Sequence, residues 1–393
     1  MTSKDVVIIG AGIIGLSTAY AILETFPSSL ADLSITIIAE HGPHDTDNEQ
    51  LVKYSSYTSP WAGAHFRPFP SKSKEDFYES KLTRKTFEKF KQLSVSHPES
   101  SIRIVQGIEY FEDPEFLLKC IGRGYSEGMN DFEVIPTEKL PKRSSSSPIK
   151  IDFGTKYTTW IMNAPHYLKF LYNELLKSGK VRFVHKKLLS LKQVNEIVPN
   201  FPIIVNCSGR GLGYFGGYDD KVYSIRGQTL LIDPPTNCPY LDKTITHQSK
   251  DGKWTFVIPR PLNGGVILGG TKQIKDSTDK PKEEDTKQLI NMGQELFPEL
   301  MKVNEKTGEK YFDIKRINVG FRPARKGGFY NRIDLKNSNE GRNNHIINNY
   351  GAGGMGYELS YGAGLIAVNS LIKVLKFDEN NKNRLIRGRR SHL

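Results

Sequence analysis

Residues 5–10 read DVVIIG, an uninterrupted apolar and β-branched run. Such a run predicts a strand buried on both faces, as in a parallel sheet. AGIIGLSTAYAILETF, from 11 to 26, changes to helical spacing, with Ile14, Ala19, Ile22 and Leu23 on one side. Residues 34–40, SITIIAE, are a second buried strand. Strand, helix and strand in the first forty residues predict a right-handed βαβ unit. After residue 42 the pattern breaks into a polar loop, and 75–95 reads as a helix. A second group of strands is scattered from 151 to 320: IIVNCSG, GQTLLI, WTFVIP, GVILGG and INVGF. Their hairpin-like spacing predicts an antiparallel or mixed sheet interleaved with the first. KRSSSSPIK at 142–150 is a surface loop by composition, and 328–345 reads as an irregular excursion. NNYGAGGMG at 348–356 then opens a helix carrying Leu359, Ala363, Ile366, Ala367, Ser370 and Leu371 at 3–4 spacing. Beyond about 377 a disordered tail is expected.

A chain of 393 residues is long enough for two to three domains or one large enzyme fold with an internal ligand cavity. No segment reaches the ~18 consecutive apolar residues of a spanning helix, and no membrane association is expected. Residues 6–16 have the apolarity of a signal core but lack a basic lead and a cleavage site. The net charge is +12, yet five of the basic residues (Lys382, Arg384, Arg387, Arg389, Arg390) crowd the last dozen positions. The others are interspersed with acids and form no nucleic-acid module, so no nucleic-acid partner is expected. Cys120, Cys207 and Cys238 lack CxxC spacing, which points away from a disulfide framework and a metal site and toward a reducing compartment.

The first element with chemistry is GAGIIG, with Gly10, Gly12 and Gly15 between strand and helix. Gly10 permits the tight turn, Gly12 lets backbone approach a pyrophosphate, and Gly15 lets helix pack on strand. The helix N-terminus offers unpaired N–H groups and a partial positive charge to the phosphates. Glu40 ends the second strand 25 residues after Gly15, where an acid accepts from ribose hydroxyls. The fingerprint does not separate FAD from NAD. VNCSG, with Ser208, can pass the adenine–ribose edge of the same nucleotide, or be an ordinary core strand. The glycine cluster of 351–356 again opens a helix, whose positive end suits a group that gains negative charge on reduction. In VGFRPARKGG, Arg322 leaves an apolar strand and Pro323 fixes the backbone direction, which suits a bidentate grip on a carboxylate. Arg325 and Lys326 are expected to be exposed.

VVIIGAGIIGLSTAYAI, YTSPWAGAHFRPF, VNCSG, IRGQT, FVIPRP…VILGGTKQ, VGFRPARKGG and NNYGAGGMGYELSYG occur together and in order. On these blocks the chain resembles the D-amino acid oxidase and D-aspartate oxidase family, in its fungal branch, from about Val6 to Val374. The resemblance implies an α/β fold. A Rossmann-like, glutathione-reductase-like FAD-binding domain would interleave with an α+β substrate domain built on a mixed or antiparallel sheet. The FAD-binding parts are placed at about 1–70, 155–215 and 315–377, and the substrate parts at about 71–154 and 216–314. Residues 378–393 form the tail. The implied reaction is oxidative deamination of D-amino acids to 2-oxo acids through an imino acid, releasing ammonia and hydrogen peroxide. By position, Gly10, Ala11, Gly12, Ile13, Ile14 and Gly15 hold the diphosphate and Glu40 the ribose. Tyr57, Thr58, Gly63 and Ala64 line the flavin, and Gly353, Gly354, Met355 and Gly356 face its pyrimidine end. Arg322 is the substrate-carboxylate arginine, and no side-chain base is required, because the α-hydrogen leaves as hydride to flavin N5.

Where the family carries a tyrosine before the IP turn, this chain has Phe256. Loss of that hydroxyl is worth ~1–3 kcal/mol, and Tyr223 and Tyr357 are the candidates to compensate. His65 and Arg67 follow the WAGA block, and Lys272 stands where D-aspartate oxidases carry a basic residue. A second cation there favours acidic D-amino acids, whereas solvated or acid-paired side chains would not. Alternatives are an FAD-binding protein with weak or no oxidase activity and an oxidase of glycine or N-methyl amino acids. The expected partners are a D-amino acid and molecular oxygen, with a homodimer left open. Ser391-His392-Leu393 is a variant of the peroxisomal address, implying a peroxisomal import receptor.

Overall fold

A computed structural model describes residues 4–26, 33–43, 56–115, 124–129, 131–142, 149–200, 202–211, 219–334 and 345–390, with side chains as far as Lys376. The serine tract of 143–148, Cys120, residues 335–344 and the tripeptide 391–393 lie outside these residues. In chain order the first elements are β1 (Lys4–Ile9), α1 (Ile13–Thr25), β2 (Leu33–Ala39), α2 (Lys74–Ser96), β3 (Arg103–Phe111) and β4 (Glu133–Val134). β5 (Phe153–Ile161), α3 (Ala164–Lys177), β6 (Val181–His185), α4 (Lys192–Ile197), β7 (Ile203–Asn206), β8 (Val222–Ile232) and β9 (Lys243–Gln248) follow. Then come β10 (Trp254–Pro259), β11 (Val266–Gly269), β12 (Gln273–Ile274), α5 (Glu283–Leu296), β13 (Lys302–Val303) and β14 (Lys310–Tyr311). β15 (Ile314–Arg325), β16 (Tyr330–Asp334), β17 (Ile346–Tyr350) and α6 (Gly356–Arg390) complete the chain.

Six strands form one sheet in the order β16-β17-β7-β1-β2-β6, parallel except for β16. Its central strands are the apolar runs, since a strand covered on both faces has no polar side. Helices α1, α2, α3 and α6 share one core on this sheet, including Leu16, Ile22, Phe90, Trp160, Leu359 and Leu371. Nine strands form the second sheet, β12-β8-β11-β10-β9-β3-β5-β4 with β15 also paired to β8. Only its β3–β9 pairing is parallel. Alternation along β10 sends Val257 to the back, against Leu289 and Leu296 of α5, and Phe256 and Ile258 to the front.

The expected α/β architecture with two interleaved sheets is present, but the assignment of segments shifts. β5 and β15 fall in stretches assigned to the nucleotide part, and both pair within the nine-stranded sheet. Helix α2, assigned to the substrate part, packs through Leu82, Phe90 and Leu93 into the core of the first sheet. Periodicity identifies these as strands and a helix but does not say which distant partner covers them. Residues 330–334, read as irregular, are strand β16, paired with β17. The tail assigned to 378–393 is helical to Arg390, as a continuation of α6. Within α6, Gly356–Lys376 has the length and apolarity of a spanning helix among the described residues. Its apolar side chains, among them Leu359, Ala363 and Leu371, are instead spent on that same core.

Candidate active site

A cleft of about 1550 Å³ runs from the C-terminal ends of β1 and β2 to the front face of the nine-stranded sheet. It exceeds the ~300–1,000 Å³ of a typical small-ligand site, leaving room for a dinucleotide and a substrate in line.

The nucleotide end is made of backbone. Gly10 has φ +104°, and a Cβ there would lie 2.5 Å from the Cys207 carbonyl oxygen. A Cβ on Gly15 would lie 2.0 Å from the Gly10 carbonyl oxygen, so α1 sits as close to β1 as a chain allows. Helix α1 starts at an extended Gly12, with no side-chain cap and no acid in its first turn. Ile13 and Ile14 bury their side chains and leave the backbone toward the cleft. The hydroxyl of Tyr57 donates to the Ala11 carbonyl at 3.0 Å, and Ile13 N–H donates to Ser59 Oγ at 3.1 Å. Glu40 stands just past β2 on the cleft wall, 3.0 Å from Lys187 Nζ. Ser208 also lines the cleft, its hydroxyl donating to Asn206 Oδ1 at 2.7 Å. A glycine-walled turn before a helix whose N-cap glycine supplies no side-chain cap, with an acid across from it, fits a pyrophosphate and a ribose.

Residues 57–64 bridge the two sheets. Thr58 Oγ1 accepts from Phe321 N–H at 3.1 Å and donates to its carbonyl at 2.7 Å, tying this segment to the strand of Arg322. Tyr357 donates to the Ser59 carbonyl at 2.9 Å. Arg260 Nη2 donates to the carbonyls of Pro60 (3.0 Å) and Ala62 (2.8 Å). Burial, aided by the Arg316 charge, brings the Arg260 guanidinium down to about 10. Gly63 packs on Ile258, and Ala64 is buried. Gly353 N–H donates to the Pro323 carbonyl at 2.7 Å, so the loop through Gly354, Met355 and Gly356 moves with β15. Ser59 and Arg260 lie within the YTSPWAGAHFRPF and FVIPRP blocks, but nothing in those blocks gives either residue its role.

The substrate end is made of side chains. Arg322 Nη1 donates to the Thr271 carbonyl at 3.0 Å, and its guanidinium lies flat on Gly227, where a Cβ would come within 2.6 Å. Among the described residues no carboxylate pairs with it. Burial alone lowers its pKa, the mark of a cation lacking a counter-charge. Phe256 edges the same space, with its ring against Gly63, Gly269 and Gly270. Of the two tyrosines that are candidates to compensate, Tyr357 lines the cleft with its hydroxyl donating to the Ser59 carbonyl, and the half-buried Tyr223 lies on β8 on the same face as Ile225 and Gly227.

Two of the three cations expected to mark an acidic substrate are neutralised. Burial and then the Arg67 charge push the His65 imidazole down to about 3, so it is neutral, and its buried Nδ1 has no hydrogen-bond partner among the described residues. Arg67 pairs with the fully buried Glu109 at 3.0 Å and stacks 4.1 Å from the centre of the Trp254 ring. Burial opposes its charge, but Glu109, Tyr157 and Glu358 carry its pKa above the ordinary value. Glu109 also accepts from Tyr125 at 2.7 Å and Gln248 at 3.3 Å, which marks it as a structural counter-ion. Lys272 is exposed at the cleft, has no acid partner among the described residues, and holds its ammonium 5.8 Å from the centre of the Trp254 ring. Arg325, expected in solvent, pairs with Asp219 at 2.7 Å and is only 11% exposed.

The model of the FAD dependent oxidoreductase family matches residues 5–370. The chain belongs to this family. This oxidoreductase is 35% identical to a D-aspartate oxidase of Talaromyces thermophilus over 91% of its own length and 92% of the relative's. It is 34% identical to a D-amino-acid oxidase of Schizosaccharomyces pombe over 95% and 97%. Its fold matches the crystal structure of a glycine oxidase from Bacillus cereus with TM-score 0.64 at 14% identity, covering 94% of this chain and 95% of that one. An iminodiacetate oxidase from Chelativorans matches with TM-score 0.65, also at 14% identity, covering 94% and 95%. At that identity the likeness is one of fold.

Proposed function

We propose that this family member binds FAD along the cleft and oxidatively deaminates D-amino acids. The product is an imino acid, which hydrolyses to a 2-oxo acid and ammonia. The observation that carries this reading is Arg322. A buried guanidinium without an acid partner among the described residues, fixed at one side by Thr271 and facing the cleft, leaves its other N–H groups for a carboxylate. The N-terminus of α1, Glu40 and the loop through Gly356 are the groups that would hold FAD. Bound FAD would supply the two-electron acceptor for the α-carbon and its amine, with oxygen as the final oxidant and hydrogen peroxide as its product. The chain itself orients the substrate and excludes water; Arg322 grips the carboxylate, and Phe256 and Gly354 wall the space beside it. The D-aspartate oxidase and D-amino-acid oxidase relatives, at 35% and 34% identity, support the D-amino acid class. The glycine oxidase alternative has fold likeness alone behind it.

Acidic D-amino acids fall within the proposed range because Lys272 is a cation at the cleft without a counter-ion among the described residues. His65, being neutral, contributes no charge there. Anaerobic mixing of the FAD-loaded protein with D-alanine and with D-aspartate tests both statements. Bleaching of the flavin absorbance, reversed by air, is the expected result, and an absorbance that no D-amino acid bleaches refutes the oxidase. Lys272→Ala is expected to lower kcat/KM for D-aspartate by roughly fivefold, the effect of ~1 kcal/mol, and to leave D-alanine unchanged.

A further inference from the structure

The IRGQT segment of β8 alternates. Ile225, Gly227 and Thr229 line the cleft, while Arg226 and Gln228 turn to the opposite face, both fully buried. Arg226 places a donor on every acceptor around it: Thr278 carbonyl 2.7 Å, Gln273 Oε1 2.6 Å, Asp285 Oδ2 2.8 Å, Gln228 Oε1 2.8 Å and Lys280 carbonyl 2.8 Å. These five bonds use the whole guanidinium fork. Gln228 closes the same segment onto the sheet, donating through Nε2 to the Lys282 carbonyl and to Thr286 Oγ1, each at 2.9 Å, and accepting from Lys282 N–H at 2.8 Å.

The chain from 271 to 286 is thereby folded round the edge of the sheet, and its first residue reaches the site. Thr271 N–H donates to the Gln228 carbonyl at 3.1 Å, and its Oγ1 accepts from Gln228 N–H at 2.8 Å. With both groups held, the Thr271 carbonyl has one direction, and it points at Arg322 Nη1. Arg322 has a long, flexible side chain and, among the described residues, no acid to steady it, so this carbonyl and the flat surface of Gly227 set where its guanidinium faces.

We propose that Arg226 and Gln228 are positioning residues that aim the Arg322 guanidinium from the far side of the sheet, through the Thr271 carbonyl. The inference rests on the reading of Arg322 as the carboxylate grip. The test uses FAD-loaded enzyme titrated with propanoate, a carboxylate without an amine, followed by the flavin absorbance, together with steady-state turnover of D-alanine. Arg226→Met is expected to weaken propanoate about tenfold and raise KM for D-alanine to match, with kcat within about threefold and FAD affinity unchanged. Arg226→Lys is expected to restore little, since a point charge cannot reach five acceptors. Thr286→Val, a milder cut of the same clamp, is expected to weaken propanoate about threefold. The proposal is overturned if Arg226→Met, or Thr286→Val where the first variant is insoluble, lowers thermal stability but leaves propanoate affinity and KM as in wild type while Arg322→Leu loses both. If Arg322→Leu still binds propanoate normally, the reading of Arg322 falls first and this inference with it.

Discussion

The two ends of the cleft are built from different materials. At the nucleotide end the working groups are backbone N–H donors at the start of α1, and side chains matter where they are absent, as at Gly10 and Gly15. At the substrate end the working groups are side chains brought from separate strands: Arg322 from β15, Phe256 from β10, and Lys272 beside β12. The first construction is limited chiefly by how closely main chain approaches main chain, at Gly10 and Gly15. The second is set chiefly by the charge and placement of side chains. The comparison breaks hardest at Arg322. Arg322→Leu is expected to lower kcat/KM for D-alanine by roughly 30- to 4,000-fold, from ~2–5 kcal/mol for removing one partner of a buried charge pair. FAD affinity should be unchanged. Loss of FAD binding in that variant would show that the two ends are not separable.

Gly15→Ala is the reciprocal break. The added methyl meets a main-chain oxygen at 2.0 Å, which no side-chain rearrangement relieves. Overpacking of ~1–3 kcal/mol between α1 and β1 should weaken FAD by roughly 5- to 150-fold. Enzyme then saturated with FAD should retain its KM for D-alanine. Isothermal titration of the apoprotein and kinetics at excess FAD measure the two quantities separately.

The same difference decides how much of each end is legible in the sequence. A backbone-built site leaves glycines at fixed spacing after an apolar strand, so GAGIIG, Glu40 and the 351–356 cluster stand out in the chain. A side-chain-built site depends on which strands pair, and strand periodicity is silent on partners. Arg67 illustrates this, since nothing near it in the sequence shows that Glu109 crosses from β3 to neutralise it. His65 likewise reads as a candidate cation, and burial makes it a neutral one. The assignment of β5 and β15 to the nucleotide part fails for the same reason, because both find their partners in the other sheet. Thr271 gives no sign at all, because it acts through its carbonyl.

Phe256→Tyr sharpens the comparison from the substrate side. Cβ atoms built on Gly269 and Gly270 would lie 2.5 and 3.0 Å from Phe256 Cζ. A hydroxyl on Cζ therefore emerges beside the Gly270–Thr271 backbone, next to the group that holds Arg322. A hydrogen bond worth ~0.5–1.5 kcal/mol should lower KM for D-alanine by about two- to tenfold without changing FAD affinity. An unchanged KM would mean that the packed ring turns the hydroxyl away from the carboxylate.

Glu358 lies where the two constructions meet, directly after the Gly353–Gly356 loop, with its Oε1 accepting Arg67 N–H at 2.8 Å. Burial pushes its carboxyl up to about 7, against the opposing pull of that hydrogen bond and of the Arg67 and Arg84 charges, with Glu109 adding to the rise. The folded value lies above the ordinary 4.5, so the folded chain holds this proton more tightly than the unfolded chain does. Its contribution to stability is therefore complete below the ordinary value and is lost as pH rises through about 7. Glu358→Gln keeps an acceptor for Arg67 and cannot ionise. The variant should match wild type in Tm at about pH 4 and exceed it by ~2–4 °C at about pH 8. Because Arg67 is already neutralised by Glu109, the substitution should leave propanoate affinity at Arg322 unchanged. If Tm keeps its full pH slope in Glu358→Gln, the titrating group lies elsewhere. If propanoate binding shifts with it, the charge balance at the substrate end extends into the glycine loop, and the two ends are electrostatically one.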